Sequence, residues 1–311
     1  MYDFIVIGGG TSGLSAGMYA TRLGLKTLVL AELPGGLITT THLVENWPGV
    51  ITTSGPDLAM ALYQHTQASG AEIKNEIVTK IEKLADQNNF PQFKITTTSN
   101  EYISKTILIA TGTKHRHLGV PGEKEFENKG VSYCALCDGA FFKGKIVGVV
   151  GGGDSAAKEA LFLSEHASKV YIIVRKDILR AEPINAERVK KNEKIEVLFK
   201  TEVEEISGKE KMEKVKFKAG EGKYSDKELD MQGIFMAIGQ DPQTELAKQI
   251  GVELNDKNEI KINRRSETNI RGVFAAGDCC DTEFKQAITG SAEGVTASYY
   301  AFHVCTTGSG F

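Results

Sequence analysis

Asp3-Phe4-Ile5-Val6-Ile7-Gly8-Gly9-Gly10-Thr11-Ser12-Gly13 opens the chain with an apolar run that passes straight into a glycine-rich turn. Residues 14–24 then carry Leu14, Met18 and Leu23 at helical spacing. Residues 26–30, Lys-Thr-Leu-Val-Leu, read as a second strand, and Glu32 stands at its end. A strand, G-x-G-x-x-G, a helix, a second strand and an acid about 20 residues on make up a dinucleotide-binding βαβ unit. Gly8 permits the tight turn, Gly10 lets backbone approach a pyrophosphate at a helix N-terminus, and Gly13 allows helix and strand to pack closely. Glu32 can accept hydrogen bonds from a ribose hydroxyl.

The same pattern recurs. Lys145-Ile-Val-Gly-Val-Val150 leads into Gly151-Gly152-Gly153-Asp154-Ser155-Ala156, a helical stretch, and the apolar Val170-Tyr-Ile-Ile-Val174. The two copies superpose without a gap, so Gly10 falls on Gly153, Gly13 on Ala156 and Glu32 on Arg175. An acid at that last position favours a free ribose 2′-hydroxyl, and a base favours a 2′-phosphate. With Lys176 and Arg180 nearby, the first unit reads as an FAD or NAD site and the second as an NADP site.

Just before the second unit stands Cys134-Ala-Leu-Cys137-Asp138-Gly139. Two cysteines at this spacing can close and reopen a small disulfide, and one beside a hydride-carrying cofactor suggests dithiol redox chemistry. A zinc site would need about four ligands, and no second C-x-x-C exists. The expectation is no metal. His115 and His117 flank Arg116 without a third ligand nearby and read as linker.

Composition narrows the classes. The 311 residues suffice for two domains, and 41% hydrophobic with 25% charged residues is an ordinary globular balance. A net charge of −3 gives no basic footprint for nucleic acid. No basic, apolar leader is visible, and no apolar run approaches the ~18 residues a membrane span needs. Five cysteines are too few for a disulfide scaffold. A cytoplasmic protein with no membrane or nucleic-acid partner is expected.

Elsewhere, residues 33–50 read as a long loop holding the only tryptophan, and residues 57–68 as a helix. Residues 73–109 read as short β runs ending at Ala110-Thr111-Gly112, where backbone can approach a ligand. Residues 201–236 are again short strands. Gly272-Val-Phe-Ala-Ala-Gly277-Asp278 is another strand end. A long helix is expected from residue 285 or 286 to 303, with a frayed end after Cys305.

Taken in order, these motifs resemble the low-molecular-weight thioredoxin reductases over nearly the whole chain. The resemblance is carried by Gly8 to Gly13, Gly35-Gly36, Val44-Glu-Asn46-Trp-Pro-Gly49, Ala110-Thr-Gly112, Cys134-x-x-Cys137-Asp-Gly139, Gly151 to Ala156, Val174-Arg-Lys-Asp-x-x-Arg180, Ala237-Ile-Gly239 and Gly272 to Asp278 with Gln286-Ala287. It implies an α/β fold of two Rossmann-like three-layer (ββα) nucleotide-binding domains. The FAD domain (1–115 and 243–311) would be interrupted by an inserted NADPH domain (116–242) carrying the redox cysteines. It also implies a homodimer whose domains rotate against each other. Hydride would pass from NADPH to FAD, then to the Cys134–Cys137 disulfide, then by exchange to thioredoxin, with Cys137 nearer the flavin and Asp138 protonating a departing thiolate.

By the same resemblance FAD would meet Gly8, Gly10, Thr11, Ser12, Gly13, Glu32, Gly36, Leu37, Thr41, Asn46, Thr111, Gly112, Gly277, Asp278, Lys285, Gln286 and Ala287. NADPH would meet Gly151, Gly153, Asp154, Ser155, Ala156, Arg175, Lys176 and Arg180. Leu37 stands where the family usually has Gln, Val174 where it often has His, and Lys176 and Lys285 where Arg is frequent. Lys cannot make a bidentate phosphate contact, so NADH as donor stays open. Adjacent Cys279 and Cys280 read as small buried side chains. Two other readings remain: an FAD-dependent dithiol oxidase of related fold, against which the basic cluster argues, and a reductase of another thioredoxin-fold partner. A flavin-binding sensor without turnover fits less well with an intact Cys-x-x-Cys-Asp.

Overall fold

The computed structural model describes residues 1–308, and the chain falls into two compact units. One comprises Met1–Lys114 and the chain from Pro242 onward; the other is His115–Asp241.

In the first unit, strands Glu72–Lys74, Thr27–Leu30, Tyr2–Ile7, Glu101–Ile109 and Val273–Ala275 pair in parallel in that order. Strands Phe90–Thr97 and Val78–Gln87 extend the sheet antiparallel from Glu101–Ile109. The sequence explains the difference. Phe4, Ile5, Val6 and Ile7 are all buried, as a strand covered on both faces requires, whereas Phe90–Thr97 buries only alternate residues. The parallel register aligns Ile7 with Leu30 and Ile109, and Ile109 with Ala275. Four strands therefore end level, and their outgoing loops emerge together.

Helix Thr11–Arg22 covers one face and packs on the C-terminal helix Ala287–Thr307. The two approach so closely that a Cβ on Gly294 would lie 2.2 Å from the Ser12 carbonyl oxygen, while Ser298 donates to the Ala16 carbonyl at 2.9 Å. The long helix departs from the sequence expectation at its end. It continues through Thr307, and Gly308 closes it at φ 67° with its amide donating to the Val304 carbonyl at 3.0 Å. The rest of the expected frayed end, residues 309–311, lies outside the described residues.

The second unit has a five-stranded parallel sheet in the order Ile195–Leu198, Lys169–Ile173, Ile146–Val150, Gly233–Met236, Val131–Ser132. Strands Val203–Gly208, Met212–Phe217 and Glu228–Asp230 form a separate antiparallel sheet, and helices Asp154–His166 and Pro183–Lys191 complete the layers. Among the described residues no helix is long and apolar enough to cross a membrane.

The internal repeat survives in three dimensions. The Gly8 amide donates to the Leu30 carbonyl at 2.8 Å, and the Gly151 amide to the Ile173 carbonyl at 3.0 Å. A Cβ on Gly8 would strike the Ala110 carbonyl oxygen at 2.1 Å, and one on Gly151 the Ala237 oxygen at 2.2 Å. Both glycines have positive φ, 119° and 151°. Each turn is thus closed by the carbonyl at the end of a neighbouring strand, and only glycine fits there.

Candidate active site: two glycine cradles and a redox disulfide

In each unit the glycine turn ends on a helix whose N-cap, Gly10 or Gly153, contributes no side-chain hydrogen bond. A Cβ on Gly153 would meet nothing within 4 Å, and one on Gly10 only the Gly36 Cα at 4.0 Å. The first-turn amides thus have no side-chain cap and the space beside each N-cap glycine is open, which suits the pyrophosphate of a dinucleotide. Both cradles fit the cofactors that the sequence implies.

Around the first cradle the structure gathers residues from distant parts of the chain. The Gly35 amide donates to the Gly9 carbonyl at 2.7 Å, which lays the turn of Gly36 and Leu37 against the loop. Residues 33–50, read from sequence as plain loop, contain the 3₁₀ turn Gly36–Thr40, after which Thr41 is extended. The Thr11 hydroxyl donates to the Ala287 carbonyl at 3.3 Å, and the Asn46 amide to Gln286 Oε1 at 3.1 Å. Thr111 is tied by its hydroxyl to the Gln243 carbonyl at 2.6 Å, next to Gly112. Ser12 lies against Gly277, whose added Cβ would come within 2.5 Å of the Ser12 Oγ. Glu32 sits exposed just beyond its strand.

Two carboxylates in this unit carry no obvious sequence signal. Glu293 accepts the Gly277 amide at 2.7 Å and also the Thr282 hydroxyl, fixing the Gly-Asp turn. Glu259 pairs with Lys285 Nζ, which also donates to the Asp278 carbonyl at 2.9 Å. Burial pushes the Asp278 carboxyl above its ordinary value, and nearby Lys285 opposes this. Cys279 and Cys280 are fully buried thiols outside any disulfide, with sulfurs 4.0 Å apart, and the Cys279 thiol donates to the Ala276 carbonyl at 3.4 Å.

In the second unit, Cys134 and Cys137 form a disulfide with an S–S distance of 2.07 Å and Cα atoms 5.3 Å apart. Cys134 is the N-cap of the short helix Ala135–Asp138, its sulfur accepting the Cys137 amide at 3.1 Å. Cys137 is exposed and Cys134 half-buried. Gly139 lets this turn settle on helix Asp154–His166, since a Cβ there would lie 2.9 Å from the Phe162 ring. Ser132 is a residue the sequence did not single out. Its hydroxyl donates to Asp138 Oδ2 at 2.6 Å and accepts the Cys134 amide at 3.1 Å.

At the second cradle, Arg175, Lys176 and Arg180 are exposed on a segment running beside the glycine loop. Val174 is buried beneath Gly152, so it is a packing residue there. Ala156 is buried at the start of the helix and Ser155 is exposed. His117 donates through Nδ1 to the Tyr133 hydroxyl at 2.7 Å, and Tyr133 donates to buried Glu123 at 2.9 Å. Burial and the Glu123 carboxylate push the Tyr133 phenol well above its usual range.

Comparison with known proteins agrees with this architecture. Residues 2–294 match the family described as pyridine nucleotide-disulphide oxidoreductase. The chain is 38% identical over 308 residues to thioredoxin reductase of Bacillus subtilis (strain 168), covering 97% of this chain and 94% of that protein. Identity to the thioredoxin reductase of Spironucleus barkhanus is 41% over 300 residues, covering 94% and 95%. Among solved structures, Lactococcus lactis thioredoxin reductase superposes with a TM-score of 0.91 at 39% identity, covering 98% of this chain and 99% of that one. The T. acidophilum thioredoxin reductase gives 0.90 at 34%, covering 97% and 98%. The chain belongs to the pyridine nucleotide-disulphide oxidoreductase family. It is an oxidoreductase that binds FAD and NADPH, and the four relatives just described are thioredoxin reductases.

Proposed function

We propose that this protein is an NADPH-dependent thioredoxin-disulfide reductase whose working bond is Cys134–Cys137. The observation that carries the reading is the disulfide itself. It caps a short helix, has one exposed cysteine, Cys137, and stands beside an acid that Ser132 holds in place. FAD in the first cradle and NADPH in the second supply the two-electron hydride chemistry that opens this bond. The residues named above for each cradle are its proposed contacts.

Once opened, the pair presents two thiols. One thiolate attacks a sulfur of the partner's disulfide, forming a mixed disulfide and releasing a partner thiolate. The remaining cysteine then attacks the mixed disulfide, which frees the second partner sulfur and restores Cys134–Cys137. Asp138 stands in position to pass a proton to a departing thiolate. The Cys137 amide, which points at the Cys134 sulfur, stabilises negative charge there. The substrate is the disulfide of thioredoxin, and the enzyme works as a cytoplasmic homodimer.

Steady-state oxidation of NADPH and of NADH, each with and without thioredoxin, tests the proposal. Thioredoxin-dependent oxidation of NADPH is expected. No oxidation of either nucleotide, with oxygen consumed when a dithiol is supplied, would point to the dithiol oxidase reading, and equal use of NADH would overturn the donor assignment. Size-exclusion chromatography tests the dimer.

A further inference from the structure

Asp154 is the first residue of helix Asp154–His166, directly after the second glycine turn. A carboxylate there would repel the phosphates that the turn is shaped to receive. Its oxygens are already committed. Oδ1 accepts the Glu182 amide and the Asn185 side-chain amide, each at 2.9 Å, and Oδ2 pairs with Lys158 at 2.8 Å. Burial alone would raise this carboxyl, but Lys158, Asn185 and the Glu182 amide outweigh it and hold the group below its ordinary value. Asn185 is itself only 3% exposed.

These bonds tie down one end of a strap. At the near end, Val174 packs under Gly152. At the far end, the Arg180 amide donates to the Gly152 carbonyl at 2.7 Å, and Glu182 and Asn185 hook onto Asp154 just beyond. Between the anchors stand the exposed Arg175, Lys176 and Arg180. Long exposed cations lose much conformational freedom when they grip an anion, and a fixed backbone beneath them lowers that cost.

We propose that Asp154 and Asn185 form a clamp that holds the cationic strap beside the glycine turn and thereby sets selectivity for a 2′-phosphorylated adenine nucleotide. Both are positioning residues, acting through Arg175, Lys176 and Arg180. The inference rests on reading the second cradle as the NADPH site.

Isothermal titration of the FAD-loaded protein with 2′,5′-ADP and with 5′-AMP tests it without turnover. The wild-type protein should favour 2′,5′-ADP. Asn185→Ala should weaken 2′,5′-ADP by about tenfold, the weight of one hydrogen bond to a charged group, with little change for 5′-AMP. Asn185→Asp, which sets two carboxylates face to face, should do more. Asp154→Asn, which keeps the Oδ1 acceptor, should retain the selectivity. Asn185→Gln, with the amide displaced by one methylene, serves if the alanine variant loses its thermal transition. An unchanged ratio in the Asn185 variants, or equal loss of both ligands, overturns the clamp. A wild-type protein that binds both ligands alike overturns the NADPH reading itself and the clamp with it.

Discussion

Ser132 and Asp138 are joined by a 2.6 Å hydrogen bond, and the same serine oxygen receives the amide of Cys134. One hydroxyl thus fixes both the acid and the first sulfur of the redox pair. Asp138→Asn should slow thioredoxin reduction by about 100-fold, as loss of a proton donor typically does. Ser132→Ala, which leaves the Asp138 side chain present but unaimed, should cost less and alter the pH profile of turnover. Stopped-flow reduction of thioredoxin checks both. A Ser132→Ala profile that overlays the wild type would show the serine to be mere packing.

Cys134→Ser and Cys137→Ser should each abolish reduction of a protein disulfide, because one sulfur cannot both attack and resolve. The first glycine cradle is built from residues of the other unit, so both variants should purify yellow. Absorbance near the flavin bands, set against a thioredoxin-coupled assay, separates the two effects. Retained disulfide turnover in either variant would sink the assigned role.

Arg175 and Arg180 are exposed and belong to no core cluster, so their removal should not unfold the protein. The double alanine variant should raise the KM for NADPH by about 10- to 100-fold, on the order of 1.4–2.8 kcal/mol, while NADH changes little. The ratio of kcat/KM for the two donors is the measurement. If it does not move, the 2′-phosphate is held elsewhere.

Gly294→Ala should destabilise the protein although alanine is the better helix former. An added methyl in mid-helix normally gains about 1 kcal/mol. Here it would sit 2.2 Å from the Ser12 carbonyl oxygen, and forcing the helices apart costs about 1–3 kcal/mol. Thermal unfolding should show a lower midpoint. Flavin should also be held less tightly, because Ser12 belongs to the first glycine turn.

The pair Asp3–Lys105 supplies a pH-dependent test of stability. Burial would raise the Asp3 carboxyl, but Lys105 at 2.7 Å and the Lys26 amide at 3.0 Å hold it below its ordinary value. A depressed carboxyl contributes stability above its unfolded-state value and loses it as pH falls through the folded one. Asp3→Asn should therefore cost about 1 kcal/mol near neutral pH, and the gap to wild type should close in acid. Urea melts at neutral pH and through the acid range decide this, and a gap constant with pH would rule the ion pair out as its source.

Much of the architecture was legible because its signals are local. The glycine turns, their flanking apolar runs and the Cys-x-x-Cys each span only a few residues, and the same register closes both turns in space. The helix Pro183–Lys191, the strand Ile195–Leu198 and the short helix Glu245–Gln249 passed unnoticed. They are short, and charged residues such as Lys190, Lys191 and Glu196 break their apolar pattern. Ser132, Asn185, Glu259 and Glu293 were illegible for another reason. Each is a lone polar residue whose meaning comes from a partner that only the folded chain brings near. Asp154 shows the same limit. Its place in the glycine motif suggests a cofactor contact, while its oxygens face Glu182, Asn185 and Lys158.

The first unit is assembled from both ends of the chain. Strand Val273–Ala275 pairs with Ile107, Leu108 and Ile109, and Gly294 rests on Ser12. During synthesis the ribosome has delivered the whole of the inserted unit before these last pieces appear. The nascent protein must therefore keep an unfinished sheet edge waiting for more than 150 residues of translation, while the inserted unit is free to fold as soon as it emerges.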